Sequence, residues 1–118
     1  HFVIRCDDRT GRAEVVPTDR WRQQLDASHG QIYGYDYDGT SIGICLIGDF
    51  STAAPPRDQY SSLYTLCQGL QQRLNISKDY VYLRSEMDRY SNSPGPAFPA
   101  EDSEDGWRLF RADIDVIL

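Results

Sequence analysis

The sequence lacks the features of membrane, disulfide-rich and nucleic-acid-binding proteins. No apolar run approaches the roughly 20 residues that a membrane-spanning helix needs, and no basic stretch followed by an apolar run indicates a signal peptide. Three cysteines, Cys6, Cys45 and Cys67, form no CxxC pair. Their odd number argues against a disulfide scaffold, although one disulfide remains possible. The net charge of −6 disfavours nucleic-acid binding, which depends on neutralising phosphates.

What is present is an ordinary globular composition. Hydrophobic residues make up 40% and charged residues 25% of the 118 positions. That length suits a single hydrophobic core. We therefore expect one domain over residues 1–118, without internal repeats or a linker.

Short apolar runs alternate with amphipathic segments, which predicts an α/β domain with a mixed sheet. Strands are predicted at 1–6, 13–16, 41–50 and 80–83, and helices at 18–25 and 51–74. The apolar face of the longer helix contains Tyr60, Leu63, Leu66, Leu70 and Leu74, at spacings of three and four.

The C-terminal residues 99–118 are predicted to form an acidic loop followed by a terminal helix. The run AEDSEDG (100–106) has the composition of a solvated loop. In 106–118, Trp107, Phe110 and Ile114 recur at helical spacing.

Four segments, in order, resemble the family of peptidoglycan recognition proteins and type 2 N-acetylmuramoyl-L-alanine amidases. They are HFVI (1–4), ASHG (27–30), SIGICLIGDF (41–50) and SPGPAF (93–98). The resemblance covers residues 1–98 and implies a mixed central β-sheet flanked by helices. The first strand of that family, which precedes the HFVI segment, is missing from the sequence given.

The resemblance also implies a chemistry. Active members cleave the amide between N-acetylmuramic acid and L-alanine in bacterial cell walls. They hold Zn²⁺ with two His and one Cys, and the metal lowers the pKa of a bound water to about 7 so that it attacks the carbonyl. Members without the metal still bind wall fragments in the same groove. Members of the family are usually exported or located in the cell envelope, although the sequence given contains no recognisable targeting signal.

The zinc-ligand positions of this chain hold other residues. The second His corresponds to Arg84, or to Ser85 if the loop is one residue shorter, and the Cys corresponds to Ser93. Arg has no lone pair to donate, and a neutral hydroxyl is a poor zinc ligand. The first His would lie on the missing strand.

These substitutions predict a catalytically inactive, amidase-like binding or scaffold module without a cofactor. Its partner would be a peptidoglycan fragment or another protein chain, within a larger assembly, because a missing strand would leave a sheet edge for another chain to cover. The alternative is a zinc-dependent amidase whose first strand lies outside this chain.

Candidate groove residues are His29, Tyr33, Tyr35 and Ser91. His29 matches the loop His of the family, and the tyrosines of YGYDYDG (33–39) could stack on sugar rings or pack structurally on one side of a hairpin.

Two further pairs have weaker functional interpretations. Glu86 and Asp88 could act as paired carboxylates, but solvated surface charge or a salt bridge to a neighbouring Arg is the simpler interpretation. His1 and His29 are the two histidines of the chain, which is few for a copper site.

Overall fold

A computed structural model describes residues 1–27, 38–77, 80–87 and 90–98, together with the backbone of 114–117. Strands are β1 (Phe2–Cys6), β2 (Ala13–Pro17), β3 (Ile42–Leu46), β4 (Val81–Leu83) and β5 (Ile114–Ile117). Helices are α1 (Asp19–Arg22), α2 (Arg57–Leu74) and α3 (Arg84–Met87). The predicted α/β fold with a mixed sheet and helices is confirmed.

The five strands form one sheet in the order β2-β1-β3-β5-β4. β2 pairs antiparallel with β1, and every other neighbouring pair is parallel. The register places Phe2, Ile44, Val116 and Leu83 in one row across the four parallel strands. The C-terminal ends of these four strands therefore lie together at one end of the sheet, which we call the carboxyl edge. Ligands of parallel sheets bind at such an edge.

The prediction of a terminal helix is wrong for residues 114–117, which form β5. The sequence IDVI is mostly β-branched, and such residues favour strands. In addition, β5 pairs on both sides, with β3 and with β4. Tertiary pairing of this kind overrides a helical spacing of apolar residues. The remainder of the predicted helix, 106–113, and the acidic loop lie outside the described residues. The missing first strand stays a prediction.

The β1–β2 hairpin closes through the turn at 7–12. The main-chain N–H of Asp7 donates to the carbonyl of Arg12 at 2.9 Å, and that of Gly11 donates to the carbonyl of Asp7 at 2.8 Å. Gly11 has φ +70°, a conformation that glycine adopts without a steric cost.

Helix α1 is shorter than the predicted segment 18–25. Its Trp21 packs against Phe2, with ring centroids 4.6 Å apart, whereas Leu25 is 48% exposed and does not continue that face. The hydroxyl of Thr18 donates to the carbonyl of His1 at 2.8 Å instead of capping α1.

Helix α2 packs against the sheet through a face slightly rotated from the predicted one. Its buried residues are Gln59, Leu63, Cys67 and Leu70, while Leu74 is 50% exposed. Leu63, Cys67 and Leu70 join residues of β1, β3 and β4 in a single core. No helix in the described part of the chain is long and apolar enough to cross a membrane.

Candidate functional site

Arg84 and Ser93, the residues predicted at the zinc-ligand positions, both lie at the carboxyl edge. Arg84 directly follows β4 as the first residue of α3, and the main-chain N–H of Ser85 donates to the carbonyl of Ser93 at 2.8 Å. The N–H of Ser93 donates in turn to the hydroxyl oxygen of Ser91 at 3.1 Å. Arg84, Ser91 and Ser93 are all half-buried. The structure thus brings together three residues that the sequence placed at a site.

Helix α3 is held by its own glutamate. The carboxylate of Glu86 accepts a hydrogen bond of 3.0 Å from the main-chain N–H of Leu83, which immediately precedes the helix. This is the glutamate half of a capping box. Glu86 therefore orients the residue next to Arg84, and its role is structural. Asp88, the other member of the proposed carboxylate pair, lies outside the described residues.

The Ser-Pro-Gly-Pro turn is anchored to the segment that follows β3. The N–H of Ala97 donates to the carbonyl of Phe50 at 2.9 Å, and a Cβ on Gly95 would lie 2.6 Å from that carbonyl oxygen. Gly95 also has φ +113°, which side chains rarely adopt. Phe98 is buried against Tyr60, with ring centroids 5.9 Å apart. The turn is therefore tied to the segment that follows β3 and to α2, and the Ser93–Pro94 peptide within it is cis.

Two exposed side chains with large apolar surfaces were not predicted as site residues. Tyr90 is 81% exposed just before the serine loop, and Ile47 is 56% exposed just after β3. No periodic pattern surrounds Tyr90 in the sequence. Its position directly before SNSPGP is the one feature that could have marked it as a site residue. An exposed aromatic ring gives this edge a surface on which a sugar could stack.

Asp49 adds a negative charge at the carboxyl edge. The hydroxyl and the N–H of Ser51 both donate to its carboxylate, at 2.7 and 3.0 Å. These bonds lower the pKa of Asp49, because they favour the charged form.

The donors present at the two positions do not fit zinc. The guanidinium of Arg84 offers no lone pair, and the hydroxyl of Ser93 is neutral. Within the described ranges, no three His, Cys, Asp or Glu side chains group in a way that could hold a metal.

His1 has a structural role in the sheet. Its Nδ1 accepts a hydrogen bond from the N–H of Gly43 at 3.0 Å, so Nε2 is the protonated nitrogen and donates to the carbonyl of Leu25 at 2.8 Å. Both ring nitrogens are thus engaged, which leaves neither for copper. His29, Tyr33 and Tyr35 lie outside the described residues and stay predictions.

The cysteines are all free, so no disulfide forms. Cys67 is fully buried, and burial raises the pKa of its thiol to about 12. Burial also raises the pKa of Cys45. Neither thiol supplies a thiolate at neutral pH, because desolvation disfavours the charged form.

A shallow concavity of about 480 Å³ lies between β2 and α2, at the opposite end of the strand order from β4. It is lined by Val15, Asp58, Ser61, Ser62, Thr65 and Leu66. Asp58 already accepts a hydrogen bond from the N–H of Ala13. The concavity therefore includes none of the residues of the carboxyl edge.

Comparison with known proteins identifies one matching family. The family model described as N-acetylmuramoyl-L-alanine amidase matches residues 1–96, a stretch that includes Arg84 and Ser93 and ends before β5. No significant match was found among curated proteins or solved structures.

Proposed function

Because the chain belongs to the N-acetylmuramoyl-L-alanine amidase family, we propose that it is a catalytically inactive member that binds cell-wall muropeptide at the carboxyl edge. The observation that carries the proposal is the adjacency of Arg84 and Ser93 across the 2.8 Å hydrogen bond from Ser85 to Ser93. A cation and a hydroxyl occupy the positions at which the family resemblance implies metal ligands.

Arg84 supplies the affinity in this proposal. The peptide of a muropeptide carries carboxylates, and a planar guanidinium binds a carboxylate through two parallel hydrogen bonds. Half-burial of Arg84 strengthens such a bond, since the local dielectric is lower than that of water. Ser91 and Ser93 carry hydroxyls that can donate to or accept from peptide amides.

Tyr90 supplies a contact of a different kind. Its ring is 81% exposed beside the serine loop. An aromatic face there suits the apolar face of a sugar ring, so that sugar and peptide would be held by adjacent parts of one surface.

Retention on insoluble peptidoglycan tests the binding. We expect Arg84→Ala to weaken retention about tenfold or more, because a hydrogen bond to a charged group contributes about 1.5–3 kcal/mol. Arg73→Ala is the matched control. Arg73 is exposed in the last turn of α2, and α2 runs from the end of β3 back to the start of β4, so this residue lies away from the carboxyl edge. The control should bind like the unmodified protein.

The experiment separates three outcomes. Equal loss in both Arg variants would assign retention to general charge and contradict the role of Arg84. A clean flow-through of the unmodified protein would exclude wall binding and leave the scaffold role with a protein partner. Stoichiometric zinc in the purified protein, together with cleavage of muropeptide, would overturn the inactive assignment.

A further inference from the structure

The strand that leads into Arg84 is held in the sheet by the C-terminal segment. Within the described part of the chain, β4 pairs with β5 alone, and its other side is the edge of the sheet. The register pairs Leu83 with Val116, one residue before Arg84. The place of Arg84 is therefore linked to residues 114–117, which are far from it in sequence.

The position of β5 makes this link necessary. β5 lies between β3 and β4, and neighbouring strands are about 4.8 Å apart, so β3 and β4 are separated by roughly 10 Å. This separation is too large for hydrogen bonds between β3 and β4. Val81 and Leu83 are buried, at 0% and 4% exposure. Without β5, the buried main chain of β4 would lose its ladder partners, which is energetically costly.

The serine turn has a separate anchor. The N–H of its Ala97 donates to the carbonyl of Phe50, which lies in the segment that follows β3, and this bond does not involve β5. Arg84 and Ser93 are therefore held at the carboxyl edge by different elements: β5 holds the strand that precedes Arg84, and Phe50 holds the turn that contains Ser93. The Ser85–Ser93 hydrogen bond joins the two parts. Loss of β5 would release the Arg84 side of the site while the Ser93 side stays tied to Phe50, in the segment that follows β3.

We propose that residues 114–117 are a positioning strand for the candidate site, and that Arg84 reaches its place only while β5 is docked between β3 and β4. Docking of β5 and binding of a ligand at the carboxyl edge are then coupled, since each stabilises the same arrangement of β4 and α3. The ligand half of this statement rests on the proposed function, whereas the coupling of β5 to β4 does not.

Amide hydrogen exchange on the unmodified full chain tests the coupling without a ligand. We expect the ladder amides of 81–83 and 114–117 to open as one unit, with protection factors that agree within about threefold. The hairpin 2–6 and 13–17 serves as the internal reference. Protection of 81–83 more than about tenfold above that of 114–117 would overturn the proposal, because β4 would then stay in place while β5 opens.

A matched pair of variants tests the consequence for the site. Val116→Pro removes a ladder hydrogen bond from a strand paired on both sides, whereas Val116→Ile keeps the main chain intact. We expect the proline variant to raise the exchange of 81–87 while 2–6 and 13–17 keep their protection, and to lose retention on insoluble peptidoglycan as Arg84→Ala does. The isoleucine variant should behave like the unmodified protein.

The remaining outcomes are also decisive. Unchanged exchange of 81–87 in Val116→Pro would overturn the proposal. If Val116→Pro unfolds throughout, the hairpin also loses protection. The coupling is then tested by the exchange of 81–83 compared with that of 114–117 in the unmodified chain. If the unmodified chain is not retained on peptidoglycan, the proposed function fails, and the exchange results alone confirm or refute the coupling.

Discussion

Replacement of Gly95 by alanine is the sharpest test of how the serine turn is held. At φ +113° an alanine is strained by about 1–3 kcal/mol. Its Cβ would also lie 2.6 Å from the oxygen and 2.8 Å from the carbon of the Phe50 carbonyl, which are main-chain atoms that cannot rotate away. Relief of that contact weakens the hydrogen bond from Ala97 to Phe50, which contributes about 1 kcal/mol. We expect Gly95→Ala to destabilise the domain by about 2–4 kcal/mol.

Urea denaturation followed by tryptophan fluorescence measures this change, and Gly69→Ala is the matched control. Gly69 lies within α2, and nothing is within 4 Å of a Cβ built there. The same chemical change at that helical position should stabilise the protein by about 0.5–1 kcal/mol. The two variants should therefore shift the denaturation midpoint in opposite directions. A loss below about 1 kcal/mol for Gly95→Ala would refute the close approach of the turn to Phe50.

Three further predictions follow from individual side chains. Gln59→Leu should cost about 1–3 kcal/mol in urea denaturation, because the fully buried side-chain N–H of Gln59 donates to the carbonyls of Ile4 and Ile47 at 3.0 Å. The carbonyl of Ile4 would keep its bond from the N–H of Ile47 at 2.9 Å, whereas that of Ile47 would lose the Gln59 donor, and the change also removes the buried Gln59 Oε1, which has no partner; an unchanged stability would contradict this role. Cys67 should resist iodoacetamide in the folded protein at pH 8 and react only on unfolding, since it is buried and its pKa is raised to about 12; labelling as fast as that of the partly exposed Cys6 would contradict the burial. Asp49→Asn should flatten the acid limb of the stability profile measured by thermal denaturation against pH. Because the pKa of Asp49 is lowered in the folded protein, its carboxylate stabilises the fold at any pH above the ordinary pKa of 3.8, and this stabilisation is lost as the pH falls through the lowered pKa. An unchanged acid limb in the variant would argue against the bonds from Ser51.

The parts of the fold that the sequence predicts well are those in which local pattern and tertiary environment agree. The continuous apolar run around β3 predicts a central strand, and β3 does pair on both sides, with β1 and with β5. The three- and four-residue spacing in α2 predicts a helix, and Leu63 and Leu70 lie on its buried face. The site residues Arg84 and Ser93 are predicted through the family resemblance and stay a prediction, while the structure joins Ser93 to Ser85, the residue after Arg84.

The rest depends on contacts that no local pattern contains. Gln59 is polar, yet it is fully buried, and its side-chain N–H donates to the carbonyls of Ile4 in β1 and of Ile47 just after β3. β5 is a strand because it pairs with β3 and with β4, which are distant in sequence. Glu86 resembles a surface charge in the sequence, but its bond to Leu83 starts α3. In each case the deciding partner is a main-chain group whose location is known only from the fold.

The attachment of the serine turn has a consequence for how this surface can change over time. The bonds that join Ser85 to Ser93 and Ala97 to Phe50 use only main-chain atoms. The side chains at 84 and 93 take no part in those two bonds, so they can be exchanged without loss of either one. These two main-chain bonds therefore do not depend on the chemistry at positions 84 and 93, which makes the carboxyl edge a place where new specificities can evolve while both bonds are kept.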